Sequence, residues 1–216
     1  MKKIAIILSG CGNRDGSELQ ETLSLLLAID RRGWQYQCFA PKGEFTPVSY
    51  ISNNELRNRR DIFEESARIA RGNILPLASY NESDYDALAL PGGMGAARNL
   101  STYAFDGTDM EVLPLVASAI LATHRAGKPV AAMCIAPIVL ANVLGHEGVE
   151  LTFGGDSAAA DHATEMGAVV VPCLPEQAHA DTAHKVITTP AYMSATNISQ
   201  IFDGAQALVD KLAEML

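Results

Sequence analysis

Cys134 sits where one apolar run, Lys128-Pro-Val-Ala-Ala-Met133, meets another, Ile135-Ala-Pro-Ile-Val-Leu-Ala-Asn-Val143. Ala132 and Ala136 flank it two positions away on each side, and Pro137 follows where a first helical turn accepts proline. This is the pattern of a nucleophile elbow, a tight strand-to-helix turn that lifts one side chain out of a sheet. The turn leaves no room for bulk at the flanking positions, and the helix N-terminus favours a thiolate. A packing cysteine at a strand end is the competing reading, because free cysteine is among the most buried residue types. The local run does not separate the two.

Two further segments carry unusual chemistry, Ser9-Gly-Cys-Gly-Asn-Arg-Asp-Gly-Ser-Glu18 and Pro91-Gly-Gly-Met-Gly95. Glu18 opens a helical pattern, where a carboxylate is favoured with or without a function. Placed near Cys134 it would be partly desolvated and could move a proton during catalysis. Gly92 and Gly93 allow close backbone approach; with the amide of Ile135 they would form an oxyanion pocket, a plain turn being the alternative. Cys11 competes for the nucleophile role from its glycine-rich loop, but no helix N-terminus lies directly beneath it. Cys38 and Cys173 read as packing residues. Cys11 and Asn99 are the weaker candidates for contacting substrate, whereas Arg14, Asp15 and Arg98 read as solvated loop residues. Of the five histidines, only His162 and His179 are candidates for the site, and surface positions explain both as well. Four cysteines without C-x-x-C spacing or paired histidines predict no metal site.

These segments need a scaffold that brings strand ends together. Lys3–Leu8, Gln35–Ala40, Asp86–Leu90, Val130–Met133, Ala168–Val171 and Lys185–Thr188 read as strands. Helical patterns cover Glu18–Arg32 with Ser17 as N-cap, Asp61–Arg71, Glu111–Ala126, Pro137–Leu144 and Ser157–Met166. A last one, Ala191–Leu216, reads as broken near Gly204. Residues 41–60 read as a surface loop or small hairpin. The β/α alternation predicts a doubly wound α/β domain with a mostly parallel sheet, spanning residues 1–216 without a linker. Ligands bind such sheets at the carboxyl ends of the strands. Of the 216 residues, 48% are hydrophobic and 19% charged, which is ample for a core. A net charge of −9 argues against a nucleic-acid footprint, and no apolar run approaches the ~20 residues of a membrane span. Unpaired thiols and the lack of a leader pattern predict a cytoplasmic protein.

Five segments in register carry a resemblance: Ile7–Glu18, Glu65–Gly72, Pro91–Ser101, Met133–Pro137 and Val186–Met193. Together they resemble the DJ-1/PfpI superfamily with its class I glutamine-amidotransferase-like fold, and more narrowly its ElbB/ES1 branch. The resemblance implies a flavodoxin-like three-layer sandwich with Cys134 as elbow nucleophile, Glu18 as its carboxyl partner, and Gly92, Gly93 and Ile135 supplying oxyanion amides. It implies a homodimer and a small-aldehyde substrate. It also implies cofactor-free glyoxalase chemistry, turning glyoxal or methylglyoxal with water into glycolate or lactate. Ile135 follows the cysteine where many superfamily hydrolases carry histidine, so amide hydrolysis is disfavoured. A non-catalytic stress or isoprenoid-pathway regulator with an oxidisable cysteine is the reading from a different class.

Overall fold

Lys3–Ile7 forms β1, apolar on both sides and buried from Ile4 onward. In the computed structural model, which describes residues 1–216, it is one strand of a seven-stranded sheet. After it come α1 (Leu19–Arg31), β2 (Gln35–Ala40), β3 (Glu44–Phe45), β4 (Arg60–Asp61), α2 (Ile62–Ile69), β5 (Ile74–Pro76), β6 (Ala87–Leu90), α3 (Met94–Arg98), α4 (Tyr103–Asp106) and α5 (Pro114–Arg125). The second half adds β7 (Val130–Met133), α6 (Pro137–Leu144), β8 (Glu150–Leu151), α7 (Ala158–Glu165), β9 (Val169–Val170), β10 (His179–Asp181), β11 (Val186–Thr189) and α8 (Ile198–Met215).

The sheet order is β10-β11-β7-β6-β1-β2-β5, and every pairing is parallel except that of β10 with β11. The chain runs outward from β1 through β2 to β5, returns to β6, then runs outward again through β7 and β11. Every residue of β6 and β7 is buried, as strands covered by helices on both faces must be. The result is a flavodoxin-like α/β fold. Adjacent β1, β6 and β7 bring the three glycine- and cysteine-bearing segments to one edge.

The differences from the sequence reading have local causes. Strands β5 and β10 were not anticipated; each is three residues long and lies at an edge of the sheet, where Ile-Leu-Pro is too short a run to stand out and His-Ala-Asp is mostly polar. The expected strand at 168–171 shrinks to Val169–Val170 and pairs with β8 in a separate two-stranded sheet. Residues 41–60 contain the β3–β4 hairpin arm. Helix α8 begins only at Ile198 and runs unbroken through Gly204. That glycine is needed for packing: a Cβ there would lie 2.3 Å from the Pro175 carbonyl oxygen. Glu18, not Ser17, caps α1; the Ser17 hydroxyl accepts from the Ser9 amide at 2.9 Å. No helix is long and apolar enough to cross a membrane.

Candidate active site

Cys134 follows β7 directly and holds a left-handed backbone, φ 60°, a conformation that costs a non-glycine residue roughly 1–2 kcal/mol. Its neighbours enforce it. The Cys134 amide donates to Thr189 O at 3.0 Å, and the Ala136 amide closes the turn onto Met133 O at 2.9 Å. The side chain is buried beneath the loop after β6. A Cβ on Gly92 would lie 2.3 Å from both the Cys134 Cβ and Glu21 Oε2, so only glycine fits between nucleophile and carboxyl. Gly93, at φ 97°, meets the loop after β1 backbone to backbone, where a Cβ would reach Gly16 O at 2.3 Å. The Glu18 amide donates to Gly92 O at 2.9 Å and the Gly95 amide to Gly16 O at 2.9 Å. The two glycine loops thereby form one unit.

The carboxyl brought against Cys134 belongs to Glu21, which the sequence reading missed. Glu21 lies in the first turn of α1 and is fully buried. Its Oε1 accepts from the Tyr192 amide at 3.1 Å, and the Gly92 amide is directed at the same carboxyl. Oε2 is buried without a hydrogen-bond partner, on the side of Cys134. Burial above all lifts the Glu21 carboxyl from 4.5 to about 7; the Glu18 charge adds to the rise, and the Tyr192, Cys134 and Gly92 donors oppose it. Glu18, the expected partner, instead accepts from the Glu21 amide at 2.6 Å as the cap of α1. It reaches the wall of the cavity rather than the back of the sulfur. Burial raises its carboxyl as well, against three amides of the helix start.

The Gly93 and Ile135 amides are directed at the Cys134 sulfur, but burial and the Glu21 charge outweigh them and push the thiol well above 9.0. The expectation of a resting thiolate is therefore corrected: the N-terminus of α6 does not compensate for desolvation, and the resting sulfur is protonated. The Gly92 amide, expected in the oxyanion pocket, serves Glu21.

The cavity above Cys134 has a volume of about 440 Å³ and is walled mainly by apolar groups, among them Met94, Tyr103, Ile135, Tyr192 and Met193. Neither weaker substrate candidate lines it. Asn99 pins the loop after β1, donating from Nδ2 to Ser9 O and Asp15 O at 2.8 Å each. Cys11 is half-buried in that loop beside Glu65, its thiol raised first by burial and then by that carboxylate. No histidine lines the cavity: His162 Nδ1 bonds the Tyr103 hydroxyl at 2.9 Å, and His179 bonds Glu150 at 2.7 Å. All four cysteines are free thiols.

No family model matches the chain. It is 39% identical over 232 residues to human glutamine amidotransferase-like class 1 domain-containing protein 3, mitochondrial, covering 99% of this chain and 83% of that protein. A rat protein, ES1 protein homolog, mitochondrial, is 38% identical, with 99% of this chain and 84% of the relative covered. Among solved structures, an isoprenoid biosynthesis protein with amidotransferase-like domain from Ehrlichia chaffeensis superposes with a TM-score of 0.92 at 31% identity, over 99% of this chain and all of that one. A DJ-1 superfamily protein from Agrobacterium tumefaciens, 17% identical, shares the fold with a TM-score of 0.56 over 100% of this chain and 88% of its own. The cytoplasmic assignment is corrected by the human and rat relatives, which are mitochondrial by name. Free thiols argue only for a reducing compartment and do not distinguish the two.

Proposed function

The chain belongs to the ES1 branch of the glutamine amidotransferase-like class 1 proteins, within the DJ-1/PfpI superfamily, and from that premise we propose that it is a cofactor-free glyoxalase acting through Cys134 and Glu21. The observation that carries the reading is the buried Glu21 carboxyl, poised at about 7 beside a protonated thiol with no histidine in the cavity. A carboxyl with its pKa near the working pH can both take and return a proton.

The sequence of steps balances without an outside oxidant. As sulfur attacks the aldehyde carbon, Glu21 takes the thiol proton and the new alkoxide faces the Gly93 and Ile135 amides. Return of that proton to oxygen gives a neutral hemithioacetal. Glu21 then removes the hydrogen from the former aldehyde carbon, forming an enediolate, and delivers it to the neighbouring carbon. The hydroxyl proton moves to the second oxygen. The first carbon is thereby oxidised by two electrons and the second reduced by two, leaving a thioester of the 2-hydroxy acid. Water cleaves it, releasing lactate from methylglyoxal or glycolate from glyoxal, and restores the thiol. No histidine of the chain lines the cavity, so proton transfer at this site falls to Glu21.

The test is formation of lactate and glycolate by the wild type, Cys134→Ser and Glu21→Gln. Loss in both variants is expected; product no faster than in buffer for all three proteins refutes the assignment. One observation favours the regulator reading. Leu19, Leu23 and Leu27 form an exposed stripe on α1, at 42%, 53% and 42% exposure. The homodimer that the resemblance implies would also bury such a stripe. Sedimentation of the wild type against Leu23→Glu tests this: a dimer that dissociates supports self-association, and an unchanged monomer leaves the stripe to a different protein.

A further inference from the structure

Resting on the aldehyde reading, we infer that the cavity over Cys134 selects neutral electrophiles bearing an apolar group of about ring size and turns away anionic ones. A volume of about 440 Å³ lies within the roughly 300–1,000 Å³ typical of small-molecule sites, and methylglyoxal would leave most of it filled with water. The walls suit a ring. Met94 and Met193 are flexible, polarizable thioethers, and Tyr103 and Tyr192 present aromatic surface. Tyr103 is fixed by its hydroxyl bond to His162 at 2.9 Å. Tyr192 is held through its amide on Glu21 and its hydroxyl on Gln20.

Charge makes the second half of the selection. No Lys, Arg or His lines the cavity, whereas the Glu18 carboxyl does, and Glu21 stands behind the sulfur. A substrate carboxylate or phosphate would enter a largely apolar space facing like charge, with no cation to pair with it. The N-terminus of α7 opens onto the cavity, but Ser157 Oγ already caps it, accepting from the Ala160 amide at 3.2 Å. The substrate class that fits is therefore an uncharged 2-oxoaldehyde with an aryl or branched alkyl substituent.

Alkylation separates this selectivity from turnover. Rates of Cys134 modification by iodoacetamide, iodoacetate and N-benzyliodoacetamide are read by peptide mass spectrometry and divided by the rates with glutathione. Cys11 and Cys173 serve as internal references. At Cys134 the neutral-to-anionic ratio is expected to exceed that of glutathione at least about tenfold, with the benzyl reagent roughly ten- to a hundredfold ahead of iodoacetamide. Met94→Lys, which puts a cation at the rim, is expected to restore iodoacetate labelling. Ratios equal to those of glutathione, or Met94→Lys without effect, overturn the inference. Turnover of phenylglyoxal, methylglyoxal and glyoxylate is measured alongside. The labelling order without turnover of any aldehyde refutes the glyoxalase reading and sustains the selectivity. Turnover without the labelling order does the reverse.

Discussion

Replacing Glu21 by glutamine should stabilise the protein at alkaline pH while destroying its activity. Below pH 4.5 the carboxyl is protonated in both the folded and the unfolded chain. Between 4.5 and about 7 the unfolded chain releases a proton that the folded protein keeps, so stability falls as pH rises through this window and stays low above it. A rise from 4.5 to about 7, at about 1.4 kcal/mol per pH unit, amounts to roughly 3 kcal/mol. The neutral amide keeps the acceptor for the Tyr192 amide and carries none of this penalty. Near pH 8 the variant should therefore melt about 6–12 °C above the wild type, at roughly 2–4 °C per kcal/mol for a chain of this size. At pH 5 most of the difference should vanish. Glu18, whose carboxyl is also raised, remains in both proteins and cancels to first order, and the Cys134 thiol stays protonated across the window. Aldehyde turnover should fall by a factor of about 10²–10⁴. Melting curves from pH 5 to 8 that run parallel for the two proteins would refute the assignment of a buried, titrating Glu21.

Glu18→Ala removes the cap of α1 and should cost about 1 kcal/mol in urea denaturation, with a smaller loss of turnover than Glu21→Gln. Because the Glu18 charge helps to raise Glu21, the acidic limb of the kcat/KM profile should also move to lower pH; an unmoved limb counts against the coupling. Gly92→Ala drives a methyl group into Cys134 and Glu21 and should cost about 1–3 kcal/mol of stability together with most of the Cys134 labelling. Asn99→Ala strips two buried carbonyls, Ser9 O and Asp15 O, of their donor. It should cost roughly 1–3 kcal/mol and speed amide hydrogen exchange between residues 10 and 16; unchanged exchange would show that the loop is held by other contacts.

The sheet was legible wherever burial left a continuous apolar run. Gln35–Ala40 and Val130–Met133 form over the residues that the sequence indicates, because a strand covered on both faces can carry little else. Short edge strands such as His179–Asp181 were not, since three mixed residues paired on one side leave no pattern. At the site, Cys134 could be singled out because an elbow constrains its neighbours in sequence. The partner carboxyl could not. Glu18 and Glu21 stand one helical turn apart at the start of α1, and both are compatible with capping. What separates them is Tyr192, whose amide captures Glu21 from 171 positions away. An acid three residues after the cap ordinarily reaches back to the cap's own amide. Here the Glu18 amide is taken by Gly92 O, which frees Glu21 to face inward, and that long-range contact leaves no trace in the local spacing.

The same contact explains why the site can dispense with histidine. A thiol held above 9.0 is a weak nucleophile until a neighbouring base takes its proton, and a solvated carboxylate near 4.5 is too weak a base for that. Desolvation behind Gly92 brings Glu21 to about 7, the range that an imidazole ordinarily occupies. The cost is a buried acid worth roughly 3 kcal/mol when ionised, added to roughly 1–2 kcal/mol for the left-handed Cys134 backbone. Strain and desolvation of this size persist only where the surroundings over-determine the geometry. Here they do: Cys134 is tied to Thr189 on one neighbouring strand, Gly92 closes over it from the other, and Glu21 is tied to Tyr192 beyond β11. Loosening the packing behind Gly92 would let water reach Glu21 and lower its carboxyl towards 4.5, leaving Cys134 with a weaker base and the protein a poorer catalyst.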